Sequence, residues 1–254
     1  MKNDEYKIMY DLEDSYWWFI GKQVLVKKTL QSFLSKGLKR DAKILDIGSG
    51  TGIVLRIIED FGVPVGMEVS LEAIHFLKKR NLKYIVCSDA DTAVPFKNDT
   101  FGVTTCLDVL EHVDNDNALL KEMLRVCKPG GHVLITVPAF NALWSPHDMA
   151  LYHKRRYTYT RMVNKIRKLN FTIIRASYYN TLLCLPIFLV RKLNPLFRGA
   201  ENAHSDFFLS LPSWVNKILA LIFIFEIKCL RFFNFPFGVS LMLILKKPVL
   251  AEKH

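Results

Sequence analysis

Acidic residues are in short supply. The 254-residue chain sets 24 aspartates and glutamates against 35 lysines and arginines, a formal charge of +11. That excess suggests an anionic partner, a membrane surface or a nucleic acid, and says nothing about fold. The five cysteines are scattered and form no C-x-x-C pair. Cys87, Cys106 and Cys127 lie in or near apolar segments, where small thiols pack as hydrophobes. We read them as reduced and structural, in a reducing compartment, and the sequence points to no metal site. The opening residues, Met1-Lys2-Asn3-Asp4-Glu5-Tyr6, have no apolar signal core, which argues against secretion and for the cytoplasm. The apolar runs Leu182–Val190 and Trp214–Phe233 are interrupted and fall short of a membrane-spanning helix. Internal repeats and low-complexity tracts are absent. Hydrophobic residues, in contrast, make up half the chain. They suffice for a substantial core, and the length fits one α/β domain with additions.

The chain is organised around Ile44-Leu45-Asp46-Ile47-Gly48-Ser49-Gly50-Thr51-Gly52. The apolar run reads as a covered parallel strand. The glycines that follow let the backbone turn sharply and approach a ligand, and a helix opens at Ile53. The spacing is G-x-G-x-G rather than the G-x-G-x-x-G of dinucleotide sites, and Asp46 sits just before the turn. A carboxylate there repels a pyrophosphate and suits a cationic ligand carrying an amino group. A second short strand, Pro64–Ser70, contains Glu68 about twenty residues past the loop, where Rossmann-like folds place a carboxylate on ribose hydroxyls. A third strand, Tyr84–Ala90, ends on Asp89, with Asp91 as a second candidate acid.

Two further segments follow at regular distances. Val103-Thr104-Thr105-Cys106-Leu107-Asp108-Val109-Leu110-Glu111-His112-Val113 reads as a fourth strand and its exit, and Lys128-Pro129-Gly130-Gly131 as a turn into a fifth strand, His132–Pro138. With the glycine turn, these segments resemble the class I methyltransferases, which bind S-adenosylmethionine; the likeness covers about residues 40 to 140. It implies a Rossmann-like, doubly wound sheet of about seven strands. It also implies a cofactor set of Asp46, Gly48, Gly50, Gly52, Glu68, Asp89, Ala90 and Asp108, with Asp89 on the adenine amino group. Glu111 and His112 are expected to cap and hydrogen-bond the helix entry. The family usually has Asp where this chain has Gly102, a departure expected to cost sheet support rather than activity.

Four segments are expected. Residues 1–40 form an aromatic helical lid, helical from about Tyr6 to Ser35, with Tyr16-Trp17-Trp18-Phe19 packing on the core or closing the cofactor pocket. Residues 41–178 form the cofactor-binding core, 179–238 an apolar and basic helical insertion, and 239–254 the last strand and tail. The loop after the fifth strand should meet the acceptor. Methyl transfer needs an aligned nucleophile and removal of its proton. For that step, His147 with Asp148 is the first candidate, His153 the second and His112 the third. Trp144, Arg155, Arg156 and Tyr157 are expected to touch the acceptor, and the basic block from Lys154 to Lys168 to grip phosphate. The insertion pairs aromatic excess with positive charge, which suits a peripheral position at the inner membrane face. The function expected is O-methylation of a lipid-linked, glycan or other hydrophobic acceptor. A nucleic-acid methyltransferase is a rival without a recognisable nucleic-acid module, and a non-catalytic cofactor- or partner-binding domain is another.

Overall fold

The computed structural model describes residues 3–35, 37–198 and 211–249. Its strands are β1 Lys43–Ile47, β2 Val63–Glu68, β3 Ile85–Cys87, β4 Phe101–Leu107, β5 Cys127–Pro138, β6 Thr172–Tyr179 and β7 Ser240–Lys246. They form one sheet in the order β3-β2-β1-β4-β5-β7-β6. β1 to β5 run parallel, and β7 inserts antiparallel between β5 and β6. The strand order reverses between β1 and β4, so the loops leaving those two strands part and open a crevice at their carboxyl ends.

Helices cover both faces. α1 (Asn3–Leu12), α2 (Trp17–Leu34), α3 (Ile53–Glu59) and α4 (Leu71–Lys79) belong to the first half of the chain. α5 (Asp116–Val126), a short α6 (Pro146–Ala150), α7 (Tyr159–Arg167), α8 (Cys184–Arg198) and α9 (Ser213–Cys229) belong to the second. Two apolar cores result. One packs Leu120, Met123, Met162 and Ile166 against the sheet. The other packs Leu25, Phe33, Leu55 and Phe223 against it.

The N-terminal helix expected over 6–35 is two helices, broken at residues 13–16. Lys128-Pro129-Gly130-Gly131 is not a free turn but part of β5, where Gly130 has φ +77° and the pairing with β4 shifts register between Phe101 and Val103. Gly102 lies at that irregularity in a central strand, not at a sheet edge. A side chain there would press within 3.1–3.2 Å of Leu38 and Ala42.

The insertion lies against α2. Phe223 of α9 seats on Gly21, where a Cβ would fall 2.0 Å from the ring, so only glycine lets the helices approach this closely. Trp17 meets the edge of the Phe223 ring at 6.0 Å and donates its backbone N–H to Asn216 Oδ1 at 2.9 Å. Burying two such rings contributes about 1.5–3 kcal/mol each. α9 also carries a second apolar stripe, with Trp214, Ile218, Leu221 and Phe225 exposed at helical spacing. Among the described residues no helix is long and apolar enough to cross a membrane. The parts of the expected insertion and tail at 199–210 and 250–254 lie outside the described residues.

Candidate active site

A cavity of about 420 Å³ opens at the reversal of strand order, lined from the glycine loop through Asp46, Glu68, Asp89, Ala90 and Asp108 to His112, His147 and His153. α1 and α2 wall it with Tyr6, Met9, Trp18, Phe19 and Lys22. The aromatic segment thus divides its work. Tyr16 and Trp17 are buried in packing, while Trp18 and Phe19 face the cavity.

At the loop end, Gly50 has φ +51°, and a Cβ on it would point towards the Met9 methyl, 3.5 Å away across the pocket. Gly52, at φ +95°, faces elsewhere: a Cβ would strike Leu77 and Leu82 at 2.7 Å. It packs the turn onto α4 rather than lining the ligand space. Glu68 buttresses the loop, accepting hydrogen bonds from the backbone N–H groups of Gly50 (2.8 Å), Val69 and Ser70 (2.9 Å each). Asp89 accepts from the Asp91 amide at 2.9 Å, and Asp91 in turn accepts from the Asp114 amide at 2.6 Å. Asp46 accepts a 2.5 Å bond from Thr105 Oγ1. Burial, and secondarily the charge of Glu68, push its carboxyl up to about 7. A cationic amino group would reverse that penalty. An open glycine cradle with two carboxylates on its wall therefore fits the ribose and amino acid moieties of S-adenosylmethionine.

A buried network ties α1 to this loop. Glu13 accepts from Thr51 Oγ1 at 2.7 Å and pairs with Arg80. Arg80 also donates to the Thr51 carbonyl at 3.0 Å and lies over the Tyr10 ring.

Asp108 is not free for a ligand. Its carboxylate accepts from Lys22 Nζ at 2.6 Å and from Thr136 Oγ1 at 2.9 Å, and Lys22 also donates to Thr136 and to Tyr179. Burial alone would raise the Asp108 carboxyl, but the Lys22 ammonium outweighs it and holds the pKa low. Lys22, Thr136 and Tyr179 escaped the sequence reading. The available signal was a single lysine following Gly21 in an aromatic stretch.

The pairing of His147 with Asp148 is corrected. Asp148 stands at the third position of α6 and turns back into a capping box with Ser145. Its Oδ1 then meets His153 Nδ1 at 2.8 Å, and Arg156 grips both oxygens at 2.8 and 2.9 Å. The His147 ring lies 6.1 Å from that of His153, and the His112 ring 4.8 Å from it. Burial first, then His153, push the His112 pKa down to about 3, so this ring stays neutral. Glu111 does not cap a helix: α5 begins at Asp116 with Asn115 as its cap. Its carboxylate is fully buried, with no hydrogen-bond partner on either oxygen among the described residues. Burial, reinforced by Asp108, drives its pKa well above the carboxylate range.

The residues expected to touch the acceptor disperse. Tyr157 is buried and donates to Asp116 and to the Leu110 carbonyl. Arg156 lines the cavity, but its guanidinium is committed to Asp148 and to the Ala139 carbonyl at 2.9 Å. Trp144 and Arg155 flank a separate shallow depression with Lys154 and Arg161. Part of the basic block is paired where it stands. Lys154 pairs with Asp114 at 2.5 Å, Arg155 with Asp116 at 3.6 Å and Lys165 with Asp116 at 2.7 Å.

The profile of the methyltransferase-domain family matches residues 21–176. The chain belongs to this family, the class I methyltransferases whose methyl donor is S-adenosylmethionine. It is 29% identical over 134 residues to an uncharacterized protein of Methanocaldococcus jannaschii, spanning 53% of this chain and 60% of that one. It is also 30% identical over 100 residues to the ubiquinone biosynthesis O-methyltransferase of Aliivibrio fischeri, spanning 37% and 43%. The chain thus spans less than two thirds of the length of the curated relatives it matches. In fold it is similar to a methyltransferase from Haloferax volcanii solved in complex with the Trm112 activator, with a TM-score of 0.60 at 14% identity over 96% of this chain and 94% of that one.

Proposed function

We propose that the chain transfers a methyl group from S-adenosylmethionine to an oxygen of a hydrophobic acceptor presented at a membrane surface. The observation that carries this reading is one continuous cavity, with an acid-flanked glycine cradle at one end and a histidine cluster at the other. When bound, the cofactor supplies an activated methyl on a sulfonium. Asp46 holds its amino group, Glu68 its ribose and Asp89 its adenine, with Gly48 and Gly50 shaping the approach. Trp18 and Phe19 exclude water from above. His147 or His153 would accept the proton of the acceptor hydroxyl that receives the methyl group.

The distant likeness to an O-methyltransferase of ubiquinone biosynthesis supports an oxygen acceptor. Support for the surface comes from the exposed stripe Trp214, Ile218, Leu221 and Phe225, continued by exposed Phe232, Phe233 and Phe237. Lys217, Lys228 and Arg231 stand in the same region, the mix of apolar and cationic residues that interfacial helices use. The acid partners of the basic block weigh against nucleic acid.

Calorimetric titration with S-adenosylhomocysteine tests the cofactor assignment. Asp46→Ala and Glu68→Ala should each weaken binding at least tenfold, and a folded wild type that does not bind would overturn the reading. Sedimentation with anionic vesicles tests the surface. Wild type should pellet with them and a Trp214→Ser/Phe225→Ser double variant should not. Equal behaviour of the two proteins would leave the apolar stripe to a protein partner, as the Trm112 complex of the Haloferax neighbour illustrates.

A further inference from the structure

We propose that Glu111, His112 and His153 form a binding site for a divalent transition-metal cation at the acceptor end of the cavity. One ligand atom from each of the three lies within 4.8 Å of the others, and His153 Nε2 stands 4.0 Å from Glu111 Oε1. Metal–nitrogen and metal–oxygen bonds of about 2.0–2.2 Å need ligand atoms somewhat closer than this, a gap that side-chain rotation closes.

Three independent features point to a cation. The first is the state of Glu111. Asp108 has Lys22 and Asp148 has Arg156 as close ionic partners. Glu111 is fully buried with neither oxygen hydrogen-bonded among the described residues. A buried carboxylate without a partner is costly, and a cation among these ligands removes that cost.

The second is the support behind the ligands. Asp148 lies 2.8 Å from His153 Nδ1 and holds the ring from behind, so Nε2 is the nitrogen that faces Glu111. A ligating imidazole held from behind by a carboxylate or a carbonyl is the usual arrangement at metal centres.

The third is location. All three residues line the cavity, so coordination positions not filled by protein face the space where an acceptor oxygen must sit. Two imidazoles and one carboxylate favour zinc and the first-row transition metals over magnesium and calcium. With the cation in place, His112 and His153 would serve as ligands and a bound acceptor hydroxyl would give up its proton more readily.

Metal binding is measurable without cofactor or acceptor, so this inference stands or falls apart from the methyl-transfer reading. The full-length chain, stripped with a chelator, is titrated calorimetrically with Zn2+ and separately with Mg2+. One equivalent of Zn2+ should bind, with Mg2+ at least a hundredfold weaker. Glu111→Gln and His153→Asn should each weaken Zn2+ binding more than tenfold while S-adenosylhomocysteine binding persists. Should a variant fail to fold, the visible spectrum of the Co2+-loaded wild type decides, since nitrogen ligation gives bands that aqueous Co2+ lacks. A wild type that binds S-adenosylhomocysteine but takes up no Zn2+, folded variants that bind Zn2+ as wild type does, or an aqueous Co2+ spectrum would each overturn the proposal.

Discussion

At the glycine-loop end of the cavity the backbone shapes the site. Gly48 to Gly52 are consecutive with β1, and Glu68 serves by collecting three backbone N–H groups. At the histidine end side chains do that work, drawn from the exit of β4 (Asp108, Glu111 and His112), α6 (Asp148) and the loop beyond (His153 and Arg156), with Lys22 reaching in from α2. The first construction tolerates change in side chains that do not touch ligand. The second is a set of buried charges that hold one another, and losing one member strands its partner.

Substitutions sharpen that contrast. The largest effect is expected for Asp148→Ala, which leaves the Arg156 guanidinium buried without its carboxylate and releases His153. Stability should fall by about 3–5 kcal/mol, read as a lower midpoint in urea unfolding. Gly21→Val should cost about 1–3 kcal/mol through overpacking against Phe223. In the same unfolding assay, a matched Gly21→Val/Phe223→Ala pair should show a coupling that separates strain from lost contact.

At the loop end the expected effect is on binding. Asp46 must be ionised to hold an ammonium group, and its folded pKa lies near 7 without ligand. Affinity for S-adenosylhomocysteine should therefore weaken as pH falls from 7 to 5, approaching tenfold per unit. Asp46→Asn should flatten the profile, and a profile unchanged by that substitution would remove Asp46 from the cofactor site. The smallest effect is expected for Lys154→Ala. It breaks a solvent-screened pair with exposed Asp114 and should leave the urea unfolding midpoint nearly unchanged.

How far the sequence showed the way follows the same division. β1, the glycine turn, Glu68 and the exit of β4 were legible because each is a local pattern: an apolar run, a turn, an acid at a strand tip. The parallel order of the first five strands followed from their alternation, whereas the count of about seven came with the family resemblance. The ionic partner of Asp108 was not legible, because Lys22 lies 86 residues away and no local periodicity marks it. Adjacency misled at His147 and Asp148. Neighbours on a helix point apart, and the capping box turned Asp148 towards a histidine five residues on. The basic block looked like a phosphate grip because its acids, Asp114 and Asp116, come from the start of α5.

The seating of Phe223 on Gly21 also has a bearing on synthesis. α2 leaves the ribosome well before α9, and the contact from the Trp17 backbone to Asn216 spans 199 residues of sequence. Tyr16 and Trp17 emerge long before their cover exists. A nascent chain must therefore carry an uncovered aromatic helix while the residues up to α9 are made, a stage at which apolar surface invites aggregation or chaperone binding. Closure of this far-separated contact, together with insertion of β7 between β5 and β6, is expected to complete the fold.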